Sequence, residues 1–328
     1  MSRLLVPCIL VVGALSMLRS SGQEVVEDPF APRFDLDEAR ALVETGEYTA
    51  AVELTAEARE VGWRSAGWQR VRIDALLATG NYEAAAAAAV TLATDYGRDL
   101  PTLVYVREVL VRVGETETAE RVLEFINRFA TAMGTGDEDF DTAEIVALGK
   151  AALNMGAEAK FVLEQFFGTA RKRNPKLVEA HLEAAELALE KFDYGLAAQY
   201  LGEGVEFCGD RADFRFGLAR AFAPSDGRLA DEHIAAALEL NPLHFPTLLL
   251  VAGEKLDGDE FDDAKAVVEK VLGSDEHHPE ALALKSVVAY LENDFEVHAQ
   301  ARNEALRYWK DNPRVDHLIG EKLSRKRR

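Results

Sequence analysis

Cysteine is almost missing from this chain: of 328 residues only Cys8 and Cys208 carry a thiol. Cys8 lies in an N-terminal stretch with the marks of a removable leader, so Cys208 is expected to stand alone. A lone cysteine closes no intramolecular disulfide, whatever the redox compartment. Its place in "VEFCGDR", at the end of an expected helix, suits a packed small apolar side chain rather than a nucleophile. Positive charge is also short. Lys and Arg number 37 against 57 Asp and Glu, a formal net charge of −20. A field of that sign repels nucleic acid and anionic lipid headgroups, and leaves neutral or basic partners. The same excess also keeps a chain dispersed, whatever it binds.

The fingerprints of chemistry are missing too. The chain contains no Gly-x-Ser-x-Gly, no phosphate-cradling lysine loop, no dinucleotide fingerprint and no His-Glu-x-x-His. The expectation is a non-enzyme with no catalytic residue, no metal and no cofactor. Two clusters come nearest to a metal site. His277 and His278 follow Asp275 and Glu276, but sequence neighbours rarely point the same way, and a solvated loop is the plainer reading. Asp137, Asp139 and Asp141 alternate as in a calcium loop, yet Thr142 and Leu148 stand where that loop needs Gly and Glu.

What the N-terminus does contain is Arg3, an apolar run from Leu4 to Leu18, and small residues Ser20, Ser21 and Gly22 ahead of Gln23. That is the order of a secretory signal, and the run falls short of the roughly 20 residues a membrane-spanning helix needs. Residues 1–22 are therefore expected to be cleaved, with contact to a membrane only if the segment persists as an anchor. Loss of Arg3 and Arg19 would take the net charge from −20 to −22.

Beyond it the chain repeats itself. "TGEYTAA" at 45–51 returns as "TGNYEAA" at 79–85. The alanine of this motif recurs as Ala51, Ala85 and Ala119, and again as Ala197, Ala230 and Ala264, with His298 in the next place. The step is 34 residues, once 33, and stretches to 78 between Ala119 and Ala197. Two steps and the acidic, glycine-rich segment 134–143 account for the long one. Seven residues after each member stands Ala58, Leu92, Ile126, Gly204, Ala237, Val271 or Ala305. Seven residues are two helical turns, so both positions share a face. Three residues before come Tyr48, Tyr82, Thr116, Tyr194, Gly227, Phe261 and Phe295, mostly rings able to fill the gap beside a closely approaching neighbour. Gly46, Gly80 and Gly114 fall between helical patterns, and Asn174-Pro175, Asn241-Pro242, His278-Pro279 and Asn312-Pro313 between one repeat and the next. No strand alternation competes, and helix–turn–helix units stacked side by side, each touching only its neighbours, are the reading.

Gly-x-Tyr-x-x-Ala, a small residue seven further on and Pro five beyond resembles the second helix of the tetratricopeptide repeat, most closely in "LADEHIAAALELNP" at 229–242. The resemblance implies an all-α superhelix of antiparallel helix pairs. It lays the chain out as an extended segment at 23–34, repeats 1–3 at 35–133, the acidic insertion at 134–143, repeats 4–8 at 144–313 and a capping or truncated helix at 314–328. It further implies a scaffold in the periplasm or cell envelope that binds a protein or peptide on its concave face. There the first helices present Arg70 and Asp74, Glu108 and Arg112, and Glu183 and Glu186 as candidate partner-binding residues. The ending "NPRVDHLIGEKLSRKRR" also resembles the start of longer repeat proteins that carry a zinc peptidase domain, which this chain does not contain. Expression in a bacterial host should give envelope protein starting near Gln23 by mass spectrometry. Soluble protein that keeps Met1 would refute the leader.

Overall fold

The computed structural model describes residues 34–133 and 140–308, together with positions 317, 320, 321 and 324. The expected leader, most of the segment 23–34, the centre of the acidic insertion and most of the closing helix lie outside the described residues. All the helices named here belong to the compact unit that begins at Asp35.

Helices come in pairs, and each pair is one repeat. They are α1 (Leu36–Glu44) with α2 (Tyr48–Glu60), α3 (Ala66–Ala78) with α4 (Tyr82–Asp95), and α5 (Leu100–Arg112) with α6 (Thr116–Met133). In the fourth repeat α7 (Thr142–Asn154) is followed by α8 (Ala159–Val162), which runs through a π-helical turn at Leu163–Phe167 into α9 (Gly168–Arg173). Then come α10 (Val178–Glu190) with α11 (Tyr194–Cys208), α12 (Ala212–Phe222) with α13 (Gly227–Leu240), α14 (Phe245–Asp257) with α15 (Phe261–Leu272), and α16 (Pro279–Leu291) with α17 (Phe295–Tyr308). No strand occurs among the described residues.

Local chemistry sets the helix starts. Asp99, Asp193 and Asp226 each accept a hydrogen bond from a backbone N–H of the first turn that would otherwise go unpaired. Asp141 and Glu144 form a reciprocal capping box. Asp141 to Ala143, expected in the insertion, thus open α7 instead. The small positions of the motif behave as the periodicity requires. Ala51, Ala85, Ala197 and Ala264 are fully enclosed, as are Ala58, Leu92, Ile126 and Ala237 two turns on. His298, the departure from alanine, is half-buried and exchanges hydrogen bonds with Ser286 across the pair.

The rings behave otherwise. Tyr48 and Tyr82 are buried, whereas Phe295 in the same position is 57% exposed. Filling space beside a neighbouring helix is only part of what buries them: Tyr82 packs with Ile73, Leu76 and Leu77 of α3, and a second contact covers its other side. Tyr48 donates to the carbonyl of Leu243 at 3.1 Å and accepts from Asn241 at 3.2 Å, and its ring meets Phe245 edge-on. Tyr82 donates to the Asp275 carboxylate at 2.7 Å and packs against Tyr308. In each case the second-helix ring of an early repeat meets the loop that ends a repeat five further on. The chain separation is 193 residues both times. The same 34-residue step runs on both sides, so one such contact in register puts the next in register.

The turn glycines make room for this contact. Gly46, Gly80 and Gly114 all have positive φ, which an L side chain rarely adopts. A β-carbon on Gly80 would come within 2.9 Å of Asp275 Oδ1, and one on Gly114 within 2.9 Å of the Tyr308 carbonyl oxygen. Ser274 also donates to the carbonyl of Ala78 across the contact. The expectation that each repeat touches only its neighbours is corrected: repeats 1–3 are clasped to repeats 6–8, because the superhelix returns on itself closely enough for backbone and side chain to meet. One apolar core joins Tyr48 and Ala78 to Phe245, Leu249 and Val287.

Burial pushes the Asp275 carboxyl upward, and the hydrogen bond from Tyr82 only partly opposes it. Tyr82→Phe removes that donor and leaves a buried carboxylate short of a partner, at an expected cost of about 1–3 kcal/mol. Phe295→Ala, at the same motif position but more than half exposed, should cost less than about 1 kcal/mol. Urea titrations of the two variants test this, and equal losses would remove the clasp from the account.

Candidate functional site

Inside the clasp lies a cavity of about 1010 Å³. Its walls are the first helices α3, α5, α10, α12, α14 and α16, and the turn of the first repeat closes one side through Val43 to Tyr48. Apolar surface comes from Phe216, Leu249, Leu250 and Leu284. Acid residues outnumber arginines along the wall by eight to three. That density of carboxylate in a concave surface focuses a negative potential on whatever enters.

Three of the six residues expected to meet a partner line this cavity: Asp74, Arg112 and Glu186. Arg70, Glu108 and Glu183 are not among the lining residues. Most of the six are engaged within the chain. Glu108 and Glu183 converge on Lys150 of α7, with Glu183 at 2.5 Å. Burial opposes the charge on Lys150, but the two carboxylates outweigh it and raise its pKa. Glu186 takes a two-pronged contact from Arg220 of α12, at 2.5 and 3.1 Å. Arg70 donates to Thr102 at 3.0 Å and lies over the ring of Tyr105. The inner face thus carries a ladder of ion pairs running from one first helix to the next.

Arg112 differs. It sits exposed at the end of α5, makes no ion pair among the described residues, and directs its charge at the cavity. Its field reaches Asp74, Asp275 and His278. His278 is held neutral, its pKa pushed down to about 3 by burial and then by Arg112. Its Nδ1 accepts from the N–H of Ala281 and so caps α16. Asp213 is ionised: burial would raise its pKa, but the His244 hydrogen bond at 3.2 Å and the nearby charges of His244 and Arg211 bring it below the ordinary value. Sequence reasoning missed Lys150, Arg220 and the Asp213–His244 pair. Lys150 stands 33 residues from Glu183, and Arg220 34 from Glu186, so reading charges at the repeat step would have found both.

The cations and carboxylates present form pairs rather than a metal shell. Among the described residues no three His, Cys, Asp or Glu side chains are grouped to hold a metal ion. His277 contacts Glu276 and Glu304. Cys208 is partly buried, donates weakly to the Pro175 carbonyl, and has its thiol pKa raised by burial. Such a thiol is a poor nucleophile. No described helix is long and apolar enough to cross a membrane.

No protein-family model matches the chain. No curated protein matches it either. Solved structures do. A tetratricopeptide repeat protein from Parabacteroides merdae superposes with a TM-score of 0.52 at 14% identity, over 84% of this chain and 98% of the other. The Cut9 and Hcn1 hetero-tetramer of the APC/C gives a TM-score of 0.51 at 15% identity, over 88% of this chain, which spans 55% of that one. The all-α superhelix of tetratricopeptide repeats is the fold of this chain. Neither these matches nor the described residues point to a peptidase.

Asp74 gives the cavity a measurable pH response. Its carboxyl is pushed up to about 6, first by burial, against the hydrogen bond from Tyr105 at 2.6 Å and the charges of Arg112 and Arg70. An acid with a raised pKa binds its proton more tightly folded than unfolded. Its contribution is therefore favourable below about pH 4 and is lost as pH rises towards 6. Asp74→Asn removes that loss. The stability of the variant relative to the parent should climb between pH 4 and pH 7, by up to about 2–3 kcal/mol. A difference that stays flat across this range in urea titrations would show that Asp74 titrates normally.

Proposed function

We propose that this chain is a non-catalytic scaffold that takes a neutral or basic peptide or protein segment into its central cavity. The observation that carries the reading is the wall itself, with eight acid residues against three arginines and an apolar floor at Phe216, Leu249 and Leu250. A basic side chain gains from the carboxylates, and an apolar one from the floor. Arg112, with no ion pair of its own, offers guanidinium N–H groups to the carbonyls of the bound backbone. The expected contacts Arg70, Glu108 and Glu183 serve by holding the first helices in register rather than by reaching the ligand, while Glu186 both pairs with Arg220 and lines the cavity.

The setting proposed is outside the cytoplasm, in the periplasm or cell envelope. It rests on the order of charged, apolar and small residues at 1–22, and the acidic composition suits it. Nucleic acid is disfavoured as a partner by the same field.

The test uses two labelled dodecapeptides, one of alternating Lys and Leu and one of alternating Glu and Leu, followed by fluorescence anisotropy. The basic peptide should bind, more weakly as salt rises, and the acidic one should not. Glu254→Lys with Asp257→Lys reverses two charges on the cavity wall and should lower affinity roughly tenfold or more. Glu117→Lys with Glu120→Lys makes the same change in net charge on α6, away from the cavity, and should leave binding close to that of the parent. Equal losses in both double variants would reduce the effect to net charge and defeat the proposal.

A further inference from the structure

A second, smaller cavity of about 130 Å³ lies between α2, α3 and α4. Residues two apart on a helix point some 200° away from each other. Arg72 therefore faces this cavity while Asp74 faces the large one. Its character is the reverse of the protein's. Arg59, Arg64 and Arg72 line it with the two tryptophans Trp63 and Trp68.

None of these three arginines forms an ion pair among the described residues, although Arg171, Arg211, Arg215 and Arg220 all do. Two nitrogens of the Arg72 guanidinium, Nε and Nη1, are enclosed with no hydrogen-bond partner. Burial, and then the like charge of Arg59, push the Arg72 pKa down. Asp95 is the one acid in the lining, and it accepts a hydrogen bond from Gln69 at 3.0 Å. Three cations without an ion-pair partner thus line one half-enclosed space whose single carboxylate is engaged with Gln69, and the enclosed nitrogens of Arg72 carry a desolvation cost that a bound anion would return. The aromatic side is equally suggestive. Trp68 is buried, and Trp63, 6.0 Å away between ring centroids, is 46% exposed at the rim.

We propose that this cavity binds a small oxyanion, a carboxylate or phosphate group, held by Arg59, Arg64 and Arg72, with the flat or apolar part of the molecule that carries it resting on Trp63. At roughly 30 Å³ per water, the space holds one such group and little more. Guanidinium N–H groups suit the oxygens of either group. The site is separate from the concave cavity, so both can be occupied together, and its preference for charge is the opposite one.

Trp63 and Trp68 report on the site directly. Trp309 is the third tryptophan of the chain, and Trp309→Phe leaves only the two in the cavity. In that background, sodium phosphate and sodium benzoate are titrated against sodium chloride at matched ionic strength while tryptophan emission is followed. A saturable change with phosphate, benzoate or both, absent with chloride, is expected, together with a rise in melting temperature over the same range. Response to phosphate alone assigns a phosphoryl ligand, and response to benzoate alone a carboxylate on an aromatic body. Arg59 and Arg64 are exposed, so Arg59→Gln and Arg64→Gln should fold, as far-ultraviolet circular dichroism can verify. Each should weaken binding about tenfold or more, the worth of one charge-assisted hydrogen bond. A response that tracks chloride, or a saturable one that both variants retain undiminished, overturns the site.

Discussion

Tyr82 and Asp275 are 193 residues apart in the chain and share a buried hydrogen bond of 2.7 Å. The central cavity depends on contacts of this kind. In an open solenoid the inner helices would line a groove exposed along its length. Here the turns of repeats 1–3 are seated on the loops that end repeats 6 and 7 and on the end of α17, and the groove becomes a cavity walled by α3, α5, α10, α12, α14 and α16. The interaction is strong because both partners are buried, and demanding for the same reason. A tyrosine hydroxyl and a carboxylate removed from water must find each other, or each pays its desolvation alone. The paired arrangement at Tyr48 and Asn241 is a neutral version of the same solution.

Charge on the inner face has two separate uses. Glu108, Lys150 and Glu183 form one cluster, and Glu186 and Arg220 another, each linking neighbouring first helices. Half-buried pairs of this sort add little net stability but penalise any packing that separates them. They fix which helix faces which. Arg112, and the carboxylates that outnumber it, are left to face the chamber. The chain therefore divides its ionisable groups between holding the array in register and setting the potential inside it.

Much of the architecture was legible in the sequence because close packing is a local demand repeated at a fixed step. Wherever two helices of a pair cross, a small residue is needed, and Ala51, Ala85, Ala197 and Ala264 announce it. The tyrosines three residues earlier were visible, but only the part of their packing within the repeat could be read. Their partners sit almost 200 residues away, and nothing in a 34-residue window shows that the superhelix comes round to meet them. The six expected partner-binding residues fall on the first helices α3, α5 and α10. Which of them point at solvent and which at Lys150 or Arg220 follows from rotation and pairing, quantities that a motif does not carry. Arg59, Arg64 and Arg72 were overlooked because they lie on three different segments, and only the fold brings them to one cavity.

The nearly constant offset across the clasp makes it behave like a screw thread. Gly46 opposite Asn241 and Gly80 opposite Asp275 are successive crests and troughs of the same pitch, and Gly114 opposite Tyr308 follows one residue short of it. Loss of one whole interior repeat would shorten the engaged thread from three crests to two and leave the rest seated, since a shift of one full pitch maps the thread onto itself. Removal of a few residues from within a helix would strip every crest at once. Repeat number can thus change in whole steps without opening the chamber, while the length of each repeat is held fixed by contacts a full superhelical turn away.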